Sequence, residues 1–122
     1  MSYEDFTEMP VWRMAFGLIL EIYKVTKGFP SDERLGLISD MRRAANSIAH
    51  NIAEGFGRYE AKDKTRFYKV ARGSAYEVMS QVHVSHGLAY IDQATSDKLI
   101  GPCKQVIGDL NAIIKTLENR RG

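Results

Sequence analysis

The hydrophobic residues of the chain recur at the three- and four-residue spacing of amphipathic helices, in four separate stretches. Pro10 begins the first stretch, about residues 10–27, and Gly28 follows it, as is common at helix termini. The fourth stretch, about residues 93–119, follows Asp92, a residue type that often caps the start of a helix, and a later start at Ser96 is the alternative. The rows predicted to face the core are Val11, Ala15, Leu18, Ile22 and Val25 in the first helix, and Leu99, Cys103, Val106, Leu110, Ile113 and Leu117 in the fourth.

The two middle stretches also predict helices. The second helix covers about residues 32–55, with Ser31 as its candidate N-cap, and it ends where Gly55 and Gly57 interrupt the pattern. The third covers about residues 61–86, and its inner row is small and polar. Pro102 is expected to end an irregular first turn of the fourth helix. The predicted inner rows are Ile38, Met41, Ala45, Ile48 and Ile52 in the second helix, and Phe67, Ala71, Ser74, Val78, Gln81 and Ser85 in the third.

The connections between these helices are short, and no segment alternates with the period of a β-strand. Short connections make sequential helices antiparallel neighbours. We therefore predict a single all-α domain over residues 1–122, an antiparallel up-down four-helix bundle.

The first and fourth helices each carry a second apolar row. A bundle helix needs one apolar stripe to face its core, so a second row has two explanations. It broadens the same core face, or it is buried against another subunit. We favour the second explanation and predict a homo-oligomer. The second rows are Trp12, Phe16, Ile19 and Tyr23 in the first helix, and Ile100, Ile107 and Ile114 in the fourth.

The composition excludes several classes of protein. A hydrophobic fraction of 44% and a charged fraction of 26% are typical of globular proteins and not of disordered ones. The single cysteine, Cys103, excludes an internal disulfide and four-cysteine zinc sites. The longest strongly apolar stretch, residues 14–20, is too short to cross a bilayer, and the acidic N-terminus lacks the basic start of a signal peptide. We expect a cytoplasmic protein without membrane partners.

Positive charge is concentrated in residues 58–72, which contain six basic and two acidic side chains. Helical spacing places five of the six within a sector of roughly 120°, and Lys64 points elsewhere. Tyr76 continues this face. A line of cations beside an aromatic ring suits a phosphate backbone, although many charge runs are only solvated helix faces. We call the five residues the basic ridge: Arg58, Lys62, Arg66, Lys69 and Arg72.

Arg42 and Arg43 are secondary candidates for nucleic-acid binding. They are adjacent on the second helix, so both cannot face the core. One is expected to form a structural ion pair with Asp40, Glu54 or a neighbouring subunit, and the other to extend the basic surface.

Candidate catalytic and metal-binding groups are sparse. His83 and His86 are spaced for one helix face, and His50 lies on another helix, but a further ligand and a Glu-x-x-His motif are missing. Asn51 and Glu54 are expected to cap the second helix and to hold the turn that follows it. We expect no enzyme activity, no metal and no cofactor.

The run from Met41 to Ile48, with its Arg-Arg pair, and the run from Asn51 to Arg58, which contains Asn51, Glu54 and Gly55, resemble a family signature. The resemblance is to four-helix bundle proteins related to the 23S rRNA intervening-sequence proteins, and to the accessory protein of diversity-generating retroelements. It covers nearly the whole chain. Members often have Gly-Tyr before the last helix, where this chain has Ala89 and Tyr90.

The resemblance implies a ring-like homo-oligomer, commonly a pentamer, with rRNA or another structured nucleic acid as its partner. It implies no catalytic residue. Together with the basic ridge, it leads to the hypothesis of a non-enzymatic bundle that recognises structured RNA by shape and charge. The alternative is an interaction scaffold that docks a protein partner without nucleic acid. A third hypothesis, an enzyme built on His and Glu residues between subunits, is the least favoured.

Overall fold

The computed structural model describes residues 3–120 and contains four long helices. They are α1 (Pro10–Thr26), α2 (Ser39–Gly57), α3 (Ala61–Gly87) and α4 (Gln93–Arg120). A short 3₁₀ helix, Phe6–Glu8, precedes α1. Between residues 3 and 120 there is no β-strand, so the predicted all-α class is confirmed.

The four helices surround one hydrophobic core. α3 packs extensively against both α2 and α4, and α1 packs less extensively against the same two helices. Surface ion pairs span these contacts, with Arg43 of α2 3.0 Å from Glu77 of α3 and Lys98 of α4 3.3 Å from Glu21 of α1. Each helix therefore has two neighbours, and its polar face remains towards solvent.

The predicted core rows of α1, α2 and α4 agree with the structure, except that Val25, Ile38 and Ile113 are only half-buried. The predicted row of α3 is partly wrong. Phe67 and Gln81 are half-buried, and the core positions are held instead by Tyr68 and Val82. The small residues of α3 give a weak hydrophobic signal, so the row could be misassigned by one position.

The start of α2 also differs from the prediction. Residues Ser31–Glu33 form a 3₁₀ turn, and Arg34–Ile38 form a π-helical turn, before the α-helix begins at Ser39. Gly36 leaves helical geometry, with φ −113° and ψ −111°. Ser31 makes no capping hydrogen bond, whereas a carboxylate oxygen of Glu33 accepts from the backbone N–H of Leu37 at 3.2 Å.

The connection between α3 and α4 is a tight left-handed turn. Ala89 has φ 63°, its N–H donates to the carbonyl of His86, and the N–H of Tyr90 donates to the carbonyl of Ser85, both at 2.9 Å. This is a Schellman motif, in which glycine usually occupies the left-handed position. In this chain an alanine takes that position.

The start of α4 agrees with the prediction at one residue and differs at another. The carboxylate of Asp92 accepts a hydrogen bond from the N–H of Thr95 at 2.8 Å, as a helix cap does. Pro102 does not end an irregular turn, because it lies inside the continuous helix.

The two second apolar rows have different surroundings. On α4, Ile107 and Ile114 are buried and Ile100 is half-buried, so this row only broadens the core face. On α1, Phe16 is 45% exposed and Leu20 55% exposed, and the Trp12 and Phe16 rings stack at 5.2 Å. Ile19 of the predicted second row is half-buried, and Leu20 is exposed instead. We call the outer apolar row of α1 the α1 stripe: half-buried Trp12 and exposed Phe16, Leu20 and Tyr23. None of the helices between residues 3 and 120 combines the length and apolar composition that crossing a bilayer requires.

Candidate nucleic-acid interface

The structure distributes the basic ridge over two elements. Arg58 lies in the connection after α2, where the backbone is extended (φ −84°, ψ 151°). Lys62, Arg66, Lys69 and Arg72 lie on α3. Arg58 nevertheless joins the others, because its side chain folds back over the first turns of α3.

Phe67 links two cations of the ridge. The guanidinium carbon of Arg58 is 4.5 Å from the centre of the Phe67 ring, and that of Arg66 is 5.1 Å from it. The expectation that Phe67 faces the core is wrong, since its ring supports these arginines through cation–π contacts. Arg58 also pairs with Glu54 at 3.1 Å, and Arg66 lies 3.7 Å from Asp63.

The other half of the ridge is attached to α4. Lys69 forms an ion pair with Glu118 at 2.8 Å, and a guanidinium N–H of Arg72 donates to the side-chain oxygen of Asn111 at 2.8 Å. Tyr76, one turn further along, is 55% exposed. The ridge is therefore most open towards solvent at its N-terminal end, around Lys62 and Arg66.

Arg42 and Arg43 make contacts within the bundle. The Nε of Arg42 donates to the hydroxyl of Thr26 at 3.0 Å, and its guanidinium lies 4.5 Å from the centre of the Tyr23 ring. Arg43 pairs with Glu77 at 3.0 Å. A structural ion pair was expected for one of the two arginines, but neither Asp40 nor Glu54 is its partner.

The residues of the Asn-Ile-Ala-Glu-Gly run have local structural roles. The side-chain amide of Asn51 donates to the Ser47 carbonyl at 2.8 Å, and the Ser47 and Ser74 hydroxyls are hydrogen-bonded at 2.8 Å. Asn51 thus supports the contact between α2 and α3 and does not cap α2. A Cβ atom on Gly55 would lie 2.6 Å from the ring of Tyr68, so the glycine admits that ring.

Lys64 caps α2, a role that the sequence analysis missed. Its ammonium donates to the carbonyls of Gly55 at 3.2 Å and Phe56 at 2.8 Å, at the helix end where carbonyls lack their usual intrahelical partners. The Gly55 carbonyl also accepts from the backbone N–H of Arg58 at 3.3 Å. The sequence contained one indication of this role, since helical spacing places Lys64 off the basic ridge. A lysine that points away from the solvent-exposed face needs hydrogen-bond acceptors within the protein. Burial lowers the pKa of this ammonium.

Between residues 3 and 120, no cluster of three or more His, Cys, Asp or Glu side chains could hold a metal ion. Cys103 is buried in the core, and burial raises the pKa of its thiol to about 12, so it is not a nucleophile at neutral pH. His50 and Glu54 line only a shallow surface depression beside Arg58.

Comparison with known proteins gives a family and a fold. The sequence profile of the 23S rRNA-intervening sequence proteins matches residues 7–112. The crystal structure of a protein with unknown function from the S23 ribosomal protein family of Bacteroides thetaiotaomicron VPI-5482 has a TM-score of 0.78 to this chain. It is 18% identical and covers 86% of this chain and 98% of its own, a likeness that shows the fold alone. Among curated proteins, none matches this chain.

Proposed function

The chain belongs to the family of 23S rRNA-intervening sequence proteins, and we propose that it is a non-enzymatic homo-oligomer that binds structured RNA through the basic ridge. In this proposal the helices run up and down in an antiparallel bundle, and the bundles assemble into a ring, with five subunits as the expected number. The protein acts in the cytoplasm, with rRNA as the first candidate partner.

The arrangement of Arg58, Phe67 and Arg66 is the observation that supports this function most. Two like charges repel each other, and the attraction of both guanidinium groups to the same aromatic ring offsets part of that repulsion. A guanidinium stacked on a ring keeps the N–H donors in its own plane available for phosphate oxygens.

Exchange of the existing partners for phosphate costs little. The carboxylates beside Arg58 and Arg66 belong to exposed ion pairs, which contribute about 0–1 kcal/mol each. Lys62 is exposed and has no ion-pair partner among residues 3–120. We therefore assign the first phosphate contacts to Arg58, Lys62 and Arg66, with Lys69, Arg72 and Tyr76 extending the surface.

The α1 stripe supports assembly into an oligomer. It leaves three large apolar side chains, Phe16, Leu20 and Tyr23, in contact with solvent on one face of one helix. Covering that face with a second copy removes apolar area from water. In a ring each subunit repeats the basic ridge, so weak individual contacts combine into stronger binding.

Charge reversal tests the RNA-binding function. We compare the wild type, the double variant K62E/R66E and a control, K104E/K115E, which makes the same charge change at exposed sites on α4. Wild-type affinity for a labelled RNA hairpin should fall steeply as salt rises, because counterions are released from phosphates. The ridge variant should bind at least about tenfold more weakly with a shallower salt dependence, and the control should bind nearly like the wild type.

Two outcomes would contradict RNA binding by the ridge. The first is equal loss in both variants, which indicates only a general charge effect. The second is no binding by the wild type at low salt, which would favour the alternative function, a scaffold whose α1 stripe docks another protein. Light scattering measures the particle mass of the wild type and both variants, and equal masses show that the substitutions leave the oligomer intact.

A further inference from the structure

A cavity of about 740 Å³ opens at the end of the bundle where α1 begins and α4 ends. Its walls are mainly apolar and are contributed by the N-terminal segment and all four helices. This size is within the range of small-molecule sites in proteins. The apolar side chains that form most of the wall are Met9, Val11, Phe56, Ile113 and Leu117.

Tyr68 brings a hydroxyl without a partner to this cavity. The residue is only 3% exposed, yet its hydroxyl has no hydrogen-bond partner among residues 3–120. Burial raises the pKa of Tyr68 to about 12, so the hydroxyl remains a donor throughout the neutral range. Tyr68 lines the cavity, and its hydroxyl oxygen is not fully enclosed by protein, so an acceptor bound in the cavity can take its hydrogen bond.

Lys64 lines the same cavity one helical turn before Tyr68. Its ammonium has three donors, and the carbonyls of Gly55 and Phe56 accept two hydrogen bonds from it. One donor therefore remains. Burial lowers the pKa of Lys64 because it disfavours the charged form, and an anion nearby would favour that form.

The charges around the cavity favour a ligand with one negative charge. Arg120 adds a cation to the wall and Asp109 adds an anion, which accepts a hydrogen bond from Gln105 at 3.0 Å. The carboxylate of Asp109 would repel a doubly charged head group. One ammonium donor and one neutral hydroxyl donor match the two oxygens of a single carboxylate.

We propose that this cavity binds a monocarboxylic acid with an apolar chain, whose carboxylate accepts hydrogen bonds from Lys64 and Tyr68. The chain lies against Met9, Val11 and Leu117. This site is separate from the basic ridge, and ligand binding here does not depend on the RNA-binding function.

Octanoate is the probe, and octanol, with the same chain but no carboxylate, is the comparison ligand. Isothermal titration calorimetry on the full chain should show saturable binding of octanoate and at least tenfold weaker binding of octanol. Y68F removes the hydroxyl but keeps the ring that packs on Gly55, and it should weaken octanoate binding about tenfold. A112W, at an exposed position on the cavity wall, should block binding by occupying the space.

K104M provides the control, because it removes a lysine from α4 outside the cavity. It should bind octanoate like the wild type. Circular dichroism and thermal melting identify any variant that is not folded. If A112W does not fold, the nearly isosteric Y68F provides the decisive comparison with the wild type. The proposal is overturned if the wild type does not bind octanoate, if octanol binds equally well, or if folded Y68F binds octanoate with unchanged affinity. RNA binding by Y68F should equal that of the wild type, which separates this test from the test of the ridge.

Discussion

Gly55 shows how one missing side chain fixes the contact between two helices. A Cβ atom at this position would lie 2.6–3.0 Å from three atoms of the Tyr68 ring. We expect Gly55→Ala to lower the free energy of unfolding by about 1–3 kcal/mol, because the buried ring must shift. Urea denaturation of the wild type and the variant measures the change.

Gly57→Ala is the matched control for this substitution. It lies two residues further along the same helix, and no atom is within 4 Å of the position its Cβ would take. We expect a change smaller than about 0.5 kcal/mol. Equal losses for both variants would contradict the packing role of Gly55.

Sequence reasoning interpreted Gly55 as a helix breaker, and the structure explains the difference. α2 continues to Gly57, so the first glycine interrupts nothing. Its role depends on Tyr68, thirteen positions away, whose ring faces it from α3. The spacing of hydrophobic residues around Gly55 does not indicate which residue of another helix will approach it closely. Phe67 was misplaced for a related reason, since its neighbours Arg58 and Arg66 meet only after the chain has turned.

At the scale of elements, strong periodicity gave good predictions. The inner rows of α1 and α4 consist mostly of large aliphatic residues at regular spacing, and nearly all members of the two rows are buried. The start of α2 could not be predicted equally well, because the irregular turn around Gly36 depends on backbone angles and on a carboxylate contact from Glu33. Hydrophobic spacing alone contains neither piece of information.

The cap of α4 makes the stability of the protein depend on pH. The hydrogen bond from Thr95 holds the pKa of Asp92 below its ordinary value of 3.8 in the folded state. The ionised carboxylate therefore stabilises the fold above that value, and this stabilisation disappears as the pH falls through the lower, folded-state pKa. Asp92→Ala should lower the melting temperature at pH 7, and its difference from the wild type should shrink as the solution is acidified.

Asp97→Ala is the control for the α4 cap, since the Asp97 carboxylate accepts from the Gln93 side chain and not from a backbone N–H. It should lower the melting temperature less at pH 7. A difference between Asp92→Ala and the wild type that stayed constant down to acid pH would contradict the assigned role of the charge.

At the scale of the whole molecule, the α1 stripe is where we expect subunits to meet. F16S/L20S removes two exposed apolar side chains from the core of that surface. The particle mass, measured by multi-angle light scattering, should fall from that of an oligomer to that of one chain, because apolar burial drives association. V84S/L88S changes two side chains of similar exposure near the end of α3 and should leave the mass unchanged. A monomeric wild type, or equal dissociation of both variants, would contradict this interface.

The candidate sites differ in how far the sequence indicates them. The basic ridge follows from charge and helical spacing, because its residues lie within fifteen positions of one another. The cavity could not be foreseen, since its walls come from both ends of the chain and from α2 and α3. The ion-pair partners of the ridge cations could not be foreseen either, because some lie on another helix, as Glu118 does for Lys69.

The weaker packing of α1 has a consequence for how the bundle opens. Because α1 packs less extensively against α2 and α4 than α3 does, α1 is the helix that detaches with the least loss of packing. In an isolated subunit, local unfolding would begin there and leave the other three helices folded. An assembly through the outer face of α1 would hold in place the helix that the subunit itself retains least firmly, so association would suppress this local unfolding.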